Sequence, residues 1–251
     1  MGEQLYVHRH TPVHLLPPEV KIACLVAFIF VVVATPVHQV WAFGVYAALL
    51  VALAAVAQLP ARVVAPRMVV EVPFLLFAAL MPFTGPDPQV QVLGLTLSEP
   101  GLWAAFGIVA KGTIGVLAAI ILAATTPARD LLSGLRALHV PALLVQIASF
   151  MLRYLHVVGD EMARMKVARE SRGFEATGPR SWPVLGHSAG ALFIRSYERG
   201  ERVHLAMLSR GYSGSMPMLD DLHATRRQWL LGLALPAVAL VICLVAWRMQ
   251  R

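Results

Sequence analysis

Apolar residues in this chain gather in long unbroken runs and do not alternate with polar ones. Five runs stand out, at residues 22–34, 40–57, 68–83, 102–125 and 229–247. Such runs predict membrane-spanning helices, which satisfy their own backbone hydrogen bonds and need about 20 apolar residues each. A spanning β-strand would show segments of about ten residues with alternating polarity, and the runs here do not. The pattern therefore predicts an all-α, polytopic membrane protein with about five transmembrane helices. The first and third runs are short for a full span and imply tilt or partial crossing.

Between the fourth and fifth runs the period changes. Leu143, Leu144, Ile147, Phe150, Met151, Tyr154, Leu155 and Val158 recur at helical spacing and predict a helix over 142–172. Its second half is polar, carrying Asp160, Glu161, Arg164, Lys166, Arg169 and Glu170. A second helix is predicted over 183–210, with Leu192, Phe193, Val203, Leu205, Ala206 and Leu208 among its apolar positions. Gly178-Pro179 and 211–214 supply breaks. Amphipathic helices of this kind can lie at a membrane interface. The chain thus divides into a membrane region with about four spans (1–127), a polar insert (128–228) and a last transmembrane helix (229–251).

Composition sharpens the division. Of 251 residues, 58% are hydrophobic and 14% charged, against about 25% charged in an ordinary soluble domain. The mean hydropathy is +0.68. Residues 128–228 hold 14 of the 21 Lys and Arg and 9 of the 14 Asp and Glu. Short loops rich in Lys and Arg stay in the cytoplasm. The loop 58–67 carries Arg62 and Arg67, whereas 84–101 carries only Asp87 and Glu99. With the N-terminus inside, the insert is expected in the cytoplasm and the C-terminus outside, where Arg248 and Arg251 run against the rule. Positive-inside placement accounts for the net charge of +7, so no nucleic-acid partner is expected; the expected surroundings are a lipid bilayer. Cys24 and Cys243 both lie in apolar runs and suggest neither a disulfide framework nor a metal site. The first run lacks an A-x-A exit and is soon followed by another, so a cleaved leader is not expected.

The insert contains an internal echo. Ala168-Arg169-Glu170-Ser171-Arg172-Gly173-Phe174 returns 38 residues later as Ala206-Met207-Leu208-Ser209-Arg210-Gly211-Tyr212, with four of seven positions identical. Each copy closes a predicted helix. One reading is a well-made helix cap, because Gly past a helix end adopts the left-handed conformation and Arg favours the helix dipole. The other is a pair of docking elements. An Arg held at a rigid helix end presents a planar fork to a carboxylate in a partner's cleft.

These endings resemble the paired Ala/Ser-Arg-Gly motifs of the transmembrane T component of energy-coupling factor (ECF) transporters, nearest to the cobalt-type CbiQ subunit. The run from Gly190 to Gly214 carries the resemblance furthest. Thr125-Thr126-Pro127 with Leu131, Leu135 and Val140-Pro141 resembles the family as well, as does Arg153-Tyr154 with Glu161 and Arg164. The resemblance implies a non-catalytic subunit in a cell inner (plasma) membrane, serving cobalt uptake of the kind that feeds cobalamin biosynthesis. It would couple two ABC-type ATPase subunits to a separate substrate-binding membrane subunit for cobalt. Ser171, Arg172, Gly173, Ser209, Arg210 and Gly211 would then couple to the ATPases. The absence of a G-x-x-x-x-G-K-[ST] loop agrees: the chain is expected to bind no cofactor, with ATP used by the partner. The same role in nickel or vitamin uptake stays open.

Other residues carry weaker signals. Lys111 lies mid-span, where a charge is expensive and reads as functional or as a stem facing the bundle; a pair with Glu71 is one candidate arrangement. His8, His10 and His14 have spacings that suit a metal, but no nearby carboxylate or Cys completes a site except Glu3 and Glu19, and no metal site is assigned. His187, His204 and His223 read as surface or interface residues. Glu198, Arg199, Glu201 and Arg202 form a dense cluster in which Glu198 and Arg202 can pair at i, i+4. With Arg153, Glu161 and Arg164, this face is expected to hold the two helices in fixed geometry, Arg195 pairing with Glu161 or Glu198. An intramembrane hydrolase would need a nucleophile and base at membrane depth. No apolar run shows H-E-x-x-H or G-x-S-x-G, and Ser149 and His156 are seven apart on one helix. A stand-alone permease or channel would place polar groups in several spans, and only Lys111 clearly qualifies.

Overall fold

A computed structural model describes residues 6–9, 11–85, 88–92, 95–175, 178–214 and 224–250. In chain order the helices are α1 (Pro12–Leu15), α2 (Pro18–Ala34), α3 (Val40–Val56), α4 (Ala61–Val64), a 3-10 segment (Ala65–Glu71) and α5 (Val72–Thr84). Strands β1 (Gln89–Val92) and β2 (Leu95–Ser98) follow, then α6 (Glu99–Thr125), α7 (Ala128–Ala137), α8 (Ala142–Glu170), a 3-10 turn (Pro179–Ser181), α9 (Trp182–Leu208) and α10 (Arg226–Gln250). The protein is all-α and polytopic, as the apolar runs predict. Among the described residues, four helical stretches are long and apolar enough to cross a membrane: Ala61–Thr84, Glu99–Thr125, Ala142–Glu170 and Arg226–Gln250. The Cα framework divides into two units, one of His139–Asp221 and the other of Gly2–Leu138 with Leu222–Arg251.

In the membrane unit, paired contacts fix the helix directions. Lys21 meets Thr125 and Lys111 meets Val33, so α2 and α6 run antiparallel. Trp247 bonds the Ala34 carbonyl, while Gly232 lies against Val20 and Cys24, so α10 runs parallel to α2. Phe28, Val32, Phe43, Tyr46, Leu50, Ile114, Ala118 and Ile121 form the core. At its centre the Tyr46 hydroxyl lies 3.0 Å from Thr35 Oγ1 and donates to the Ala239 carbonyl at 3.2 Å. With its proton on the Ala239 carbonyl, the buried phenol avoids the cost of an orphaned donor. Outside this core Phe30, Leu76, Phe83 and Leu230 are exposed, the pattern of a helix surface wetted by lipid.

Two expectations change. The loop predicted at 58–67 shrinks to a turn around Gln58, which takes a left-handed φ of 53°, and Arg62 and Arg67 lie on helix. Pro60 precedes the helix and Pro66 removes a backbone donor, so the chain passes through a 3-10 segment before α5. The loop predicted at 84–101 contains an antiparallel hairpin, with Gln89 opposite Ser98 and Val92 opposite Leu95. Its sequence does alternate, but four-residue strands are too short to register against long apolar runs. The apolar stretch 141–158 left open a further span in place of an interfacial position, and α8 has the length and composition for either.

At one end of the membrane unit the chain is tied in a knot. Lys21 Nζ donates to the His14 carbonyl at 3.0 Å, the Thr125 carbonyl at 3.1 Å and Thr126 Oγ1 at 3.2 Å. Glu19, buried, accepts from the Ala224 amide at 2.7 Å. Gly134 of α7 lies where a Cβ would meet the Glu19 nitrogen at 2.8 Å. The start of α2, the end of α6, α7 and the lead into α10 are therefore fastened together.

Candidate functional site

The unit 139–221 is built on α8 and α9. Gln146, near the start of α8, meets Tyr212 just past the end of α9, and Glu161 meets Arg195 at the middle of both. Those two pairings make the helices antiparallel. The Ser171-Arg172-Gly173 and Ser209-Arg210-Gly211 endings consequently lie at opposite ends of the pair. Arg172 is 26 residues beyond Gln146, about 39 Å along α8 at 1.5 Å per residue, while Arg210 is two residues from Gln146's partner.

The two endings share one backbone geometry. Gly173 has φ 73° and Gly211 φ 82°, the left-handed region in which a Cβ is disfavoured. In the first copy Gly173 N donates to Glu170 O at 3.0 Å and Phe174 N to Arg169 O at 3.1 Å. In the second Gly211 N donates to Leu208 O and Tyr212 N to Met207 O, both at 3.0 Å. These are the two bonds of a Schellman cap. Each Ser adds a hydroxyl bond three residues back, Ser171 to Ala168 O at 3.1 Å and Ser209 to Ala206 O at 2.9 Å. The cap reading of the echo is therefore correct at the level of the backbone. It leaves the Arg side chains unused. Arg172 and Arg210 are exposed, and neither has a side-chain hydrogen bond or ion pair among the described residues. A cap fixes where each guanidinium starts; nothing among the described residues absorbs its charge.

One prediction follows for the caps themselves. Gly173→Ala and Gly211→Ala each force an L side chain into a left-handed position, at a cost of about 1–2 kcal/mol. Faster amide exchange confined to the last turn of α8 or α9 is the expected result; unchanged protection there would mean the left-handed cap is not what closes the helix.

The scaffold residues are partly brought together. Glu161 Oε2 accepts from Arg164 at 2.7 Å, and its other oxygen accepts from Arg195 of α9. Of the two partners open to Arg195, the structure selects Glu161. The i, i+4 pair expected of Glu198 and Arg202 is absent among the described residues, where the third ion pair is Lys166–Glu170 at 3.7 Å. Those side chains are exposed, and exposed pairs gain little to hold them in one geometry. Arg153 is exposed, and Arg199 lines the groove between α8 and α9. That groove is about 490 Å³, lined by Ile147, Phe150, Tyr154, Leu192 and Val203 among others.

Elsewhere, Lys111 pairs with a backbone group and not with Glu71. Its Nζ donates to the Val33 carbonyl at 2.7 Å, at the C-terminal end of α2, where the helix dipole favours a cation. Glu71 is buried and accepts from Thr113 Oγ1. His14 has both ring nitrogens engaged, Nδ1 with Thr11 Oγ1 at 2.7 Å and Nε2 with the Val7 carbonyl at 3.1 Å. His8 lies against the Tyr6 ring, while His10 and His223 lie outside the described residues. Ser149 donates to Val145 O at 2.8 Å and does not engage His156. Outside the apolar runs, Gly186-His187-Ser188-Ala189-Gly190 does spell G-x-S-x-G, a match that the sequence reading passed over. It sits inside α9 with Ser188 donating to Val184 O at 2.9 Å, without the strand-to-helix turn that a nucleophile elbow requires.

The family model for the cobalt transport protein CbiQ matches residues 9–219. The chain belongs to the CbiQ family. Its relatives are transport proteins of the ECF T-component type. The chain is 32% identical to the cobalt transport protein CbiQ of Rhodobacter capsulatus over 66% of its own length and 65% of that protein's. It is 27% identical to the energy-coupling factor transporter transmembrane protein EcfT of Staphylococcus aureus over 86% and 87% respectively. It is 33% identical to the nickel permease LarQ of Lactiplantibacillus plantarum over 49% of this chain and 44% of that one. Alignments thus span between about half and two thirds of the cobalt and nickel relatives, and nearly all of EcfT. CbiQ membership is consistent with a membrane component of a transporter and with a non-catalytic role.

Proposed function

We propose that this CbiQ-family chain is the energy-coupling subunit of an ECF-type importer for a divalent metal, cobalt, in a cell inner membrane. Two ABC-type ATPase subunits take hold of Arg172 and Arg210 from the cytoplasmic side. Their ATP-driven closure moves α8 and α9, and the movement passes to a separate membrane subunit that binds the metal. One observation carries this reading: two copies of one rigid cap, each bearing an exposed guanidinium with no partner in the described chain, at opposite ends of an antiparallel helix pair. A spacing of the order of 39 Å suits one ATPase subunit per ending. Arg is the apt residue, since its fork binds carboxylates bidentately and stays charged. Cobalt is favoured by the family match and the R. capsulatus relative, nickel by LarQ.

The test is co-purification from detergent with the suspected ATPase, comparing the parent with Arg172→Ala/Arg210→Ala. The expected result is that the parent retains the ATPase and the double variant, still folded and membrane-inserted, loses it or its transport coupling. Equal retention and coupling by both would reduce the motifs to helix caps. Uptake of radioactive Co²⁺ against Ni²⁺ separates the two metals.

A further inference from the structure

The two endings are not equivalent: at the closing aromatic position they differ by one hydroxyl. Phe174 closes the first copy and Tyr212 the second. The Tyr212 hydroxyl hydrogen-bonds the Gln146 side-chain amide, lying 2.8 Å from Oε1 and 2.6 Å from Nε2. It donates to Oε1 or accepts from Nε2, one bond at a time. The Tyr212 ring also stands edge-on to His204 on α9, with centroids 6.4 Å apart. Phe174 has no polar group with which to make such a bond. The groove between α8 and α9 has Glu161 and Arg195 among its lining residues and Gln146 and Tyr212 at its other end.

We propose that Gln146 and Tyr212 are positioning residues that latch the Arg210 ending to the start of α8, leaving the Arg172 ending unlatched. The two docking arginines therefore differ in mobility: Arg210 is fixed against α8, while Arg172 swings with the far end of its own helix. Within the coupling role proposed above, on which this step rests, one ATPase subunit meets a held end and the other a compliant one. Losing one hydrogen bond of ordinary net strength raises the unlatched population about fivefold.

The experiment is a distance measurement by pulsed electron resonance on the full chain in lipid nanodiscs. Spin labels go at exposed Val167 and Leu208 on a background lacking the buried Cys24 and Cys243. The parent is expected to give one narrow distribution. Tyr212→Phe and Gln146→Leu each broaden it, Gln146→Glu restores it because a carboxylate still accepts the phenol proton, and Phe174→Tyr leaves it unchanged. A Tyr212→Phe trace that superimposes on the parent overturns the latch. In proteoliposomes with the ATPase pair, Tyr212→Phe is expected to keep the ATPase bound while more ATP is hydrolysed per Co²⁺ taken up; a broadened distance with an unchanged ratio overturns the latch's part in coupling. If the parent binds no ATPase, the coupling role fails, and the distance arm still decides the latch.

Discussion

Replacing Arg172 and Arg210 together by Glu is expected to lower Co²⁺ uptake about a thousandfold, with the protein still inserted and folded. The magnitude follows from the interface chemistry. Truncating one partner of a desolvated charge pair costs about 2–5 kcal/mol, and reversal adds repulsion from the carboxylates the fork was meant to meet. Two such sites acting in one assembly exceed what the remaining contacts can offset. The fold has little to lose, because both side chains are exposed and without internal partners among the described residues. The backbone bonds of each cap involve Gly and the aromatic, not the guanidinium. The paired Arg→Lys variant refines the test: it keeps the charge and loses the fork, so intermediate uptake is expected. Full uptake by the Glu variant would remove the arginines from the coupling path altogether.

The second large effect concerns the membrane unit. At Gly101, in the first turn of α6, a Cβ would lie 2.5 Å from the Met81 carbonyl oxygen and 2.9 Å from Pro82 Cα. Both obstacles are backbone, so no rotamer change relieves them. Gly101→Val must push α5 and α6 apart at the tip where Ser98 caps α6 by accepting from Gly101 N at 3.2 Å. Overpacking a close-packed site typically costs about 1–3 kcal/mol or more, and the loss of the cap about another 1 kcal/mol. The folded fraction in detergent, followed by size exclusion while heating, is expected to collapse at markedly lower temperature. Gly115→Ala, where a Cβ meets nothing within 4 Å, is the matched control and should leave the profile unchanged. If the two variants melt together, α5 and α6 do not approach at Gly101 as described.

Helix identity was legible because hydrophobic period and length are local properties. Runs such as 102–125 need no knowledge of neighbours, and the caps at Gly173 and Gly211 announce themselves through a glycine after an amphipathic stretch. Pairing was less legible. Arg195 had two reachable acids, and the choice of Glu161 depends on how α8 and α9 are set against each other, which no local pattern encodes. Lys111 shows the same limit. Its partner is a backbone carbonyl at the end of α2, and a carbonyl belongs to every residue alike. The hairpin at 89–98 was hidden by length, and the helical course of 61–67 by its two arginines and its proline, which read as loop. The latch at Gln146 and Tyr212 had a faint trace in the sequence: the two copies differ at the aromatic position by one hydroxyl.

The unequal lengths of the membrane helices bear on the solvent as well as on the protein. Helices α2 and α3 have 17 residues each, against 27 in α6, so they rise about 26 Å where α6 rises about 40 Å. Lys111 and Trp247 close the end of α2 by binding its last carbonyls at Val33 and Ala34, so the helix cannot lengthen to match its neighbours. A bilayer with a hydrocarbon core of about 30 Å meets a short wall beside α2 and α3 and a tall one beside α6. Lipid must thin on one flank, with α6 tilting or its ends emerging on the other, at a cost that grows with each ångström of mismatch. Acyl-chain length thereby becomes a control variable: vesicles of short-chain lipid relieve the strain at α2 and α3, and vesicles of long-chain lipid load it.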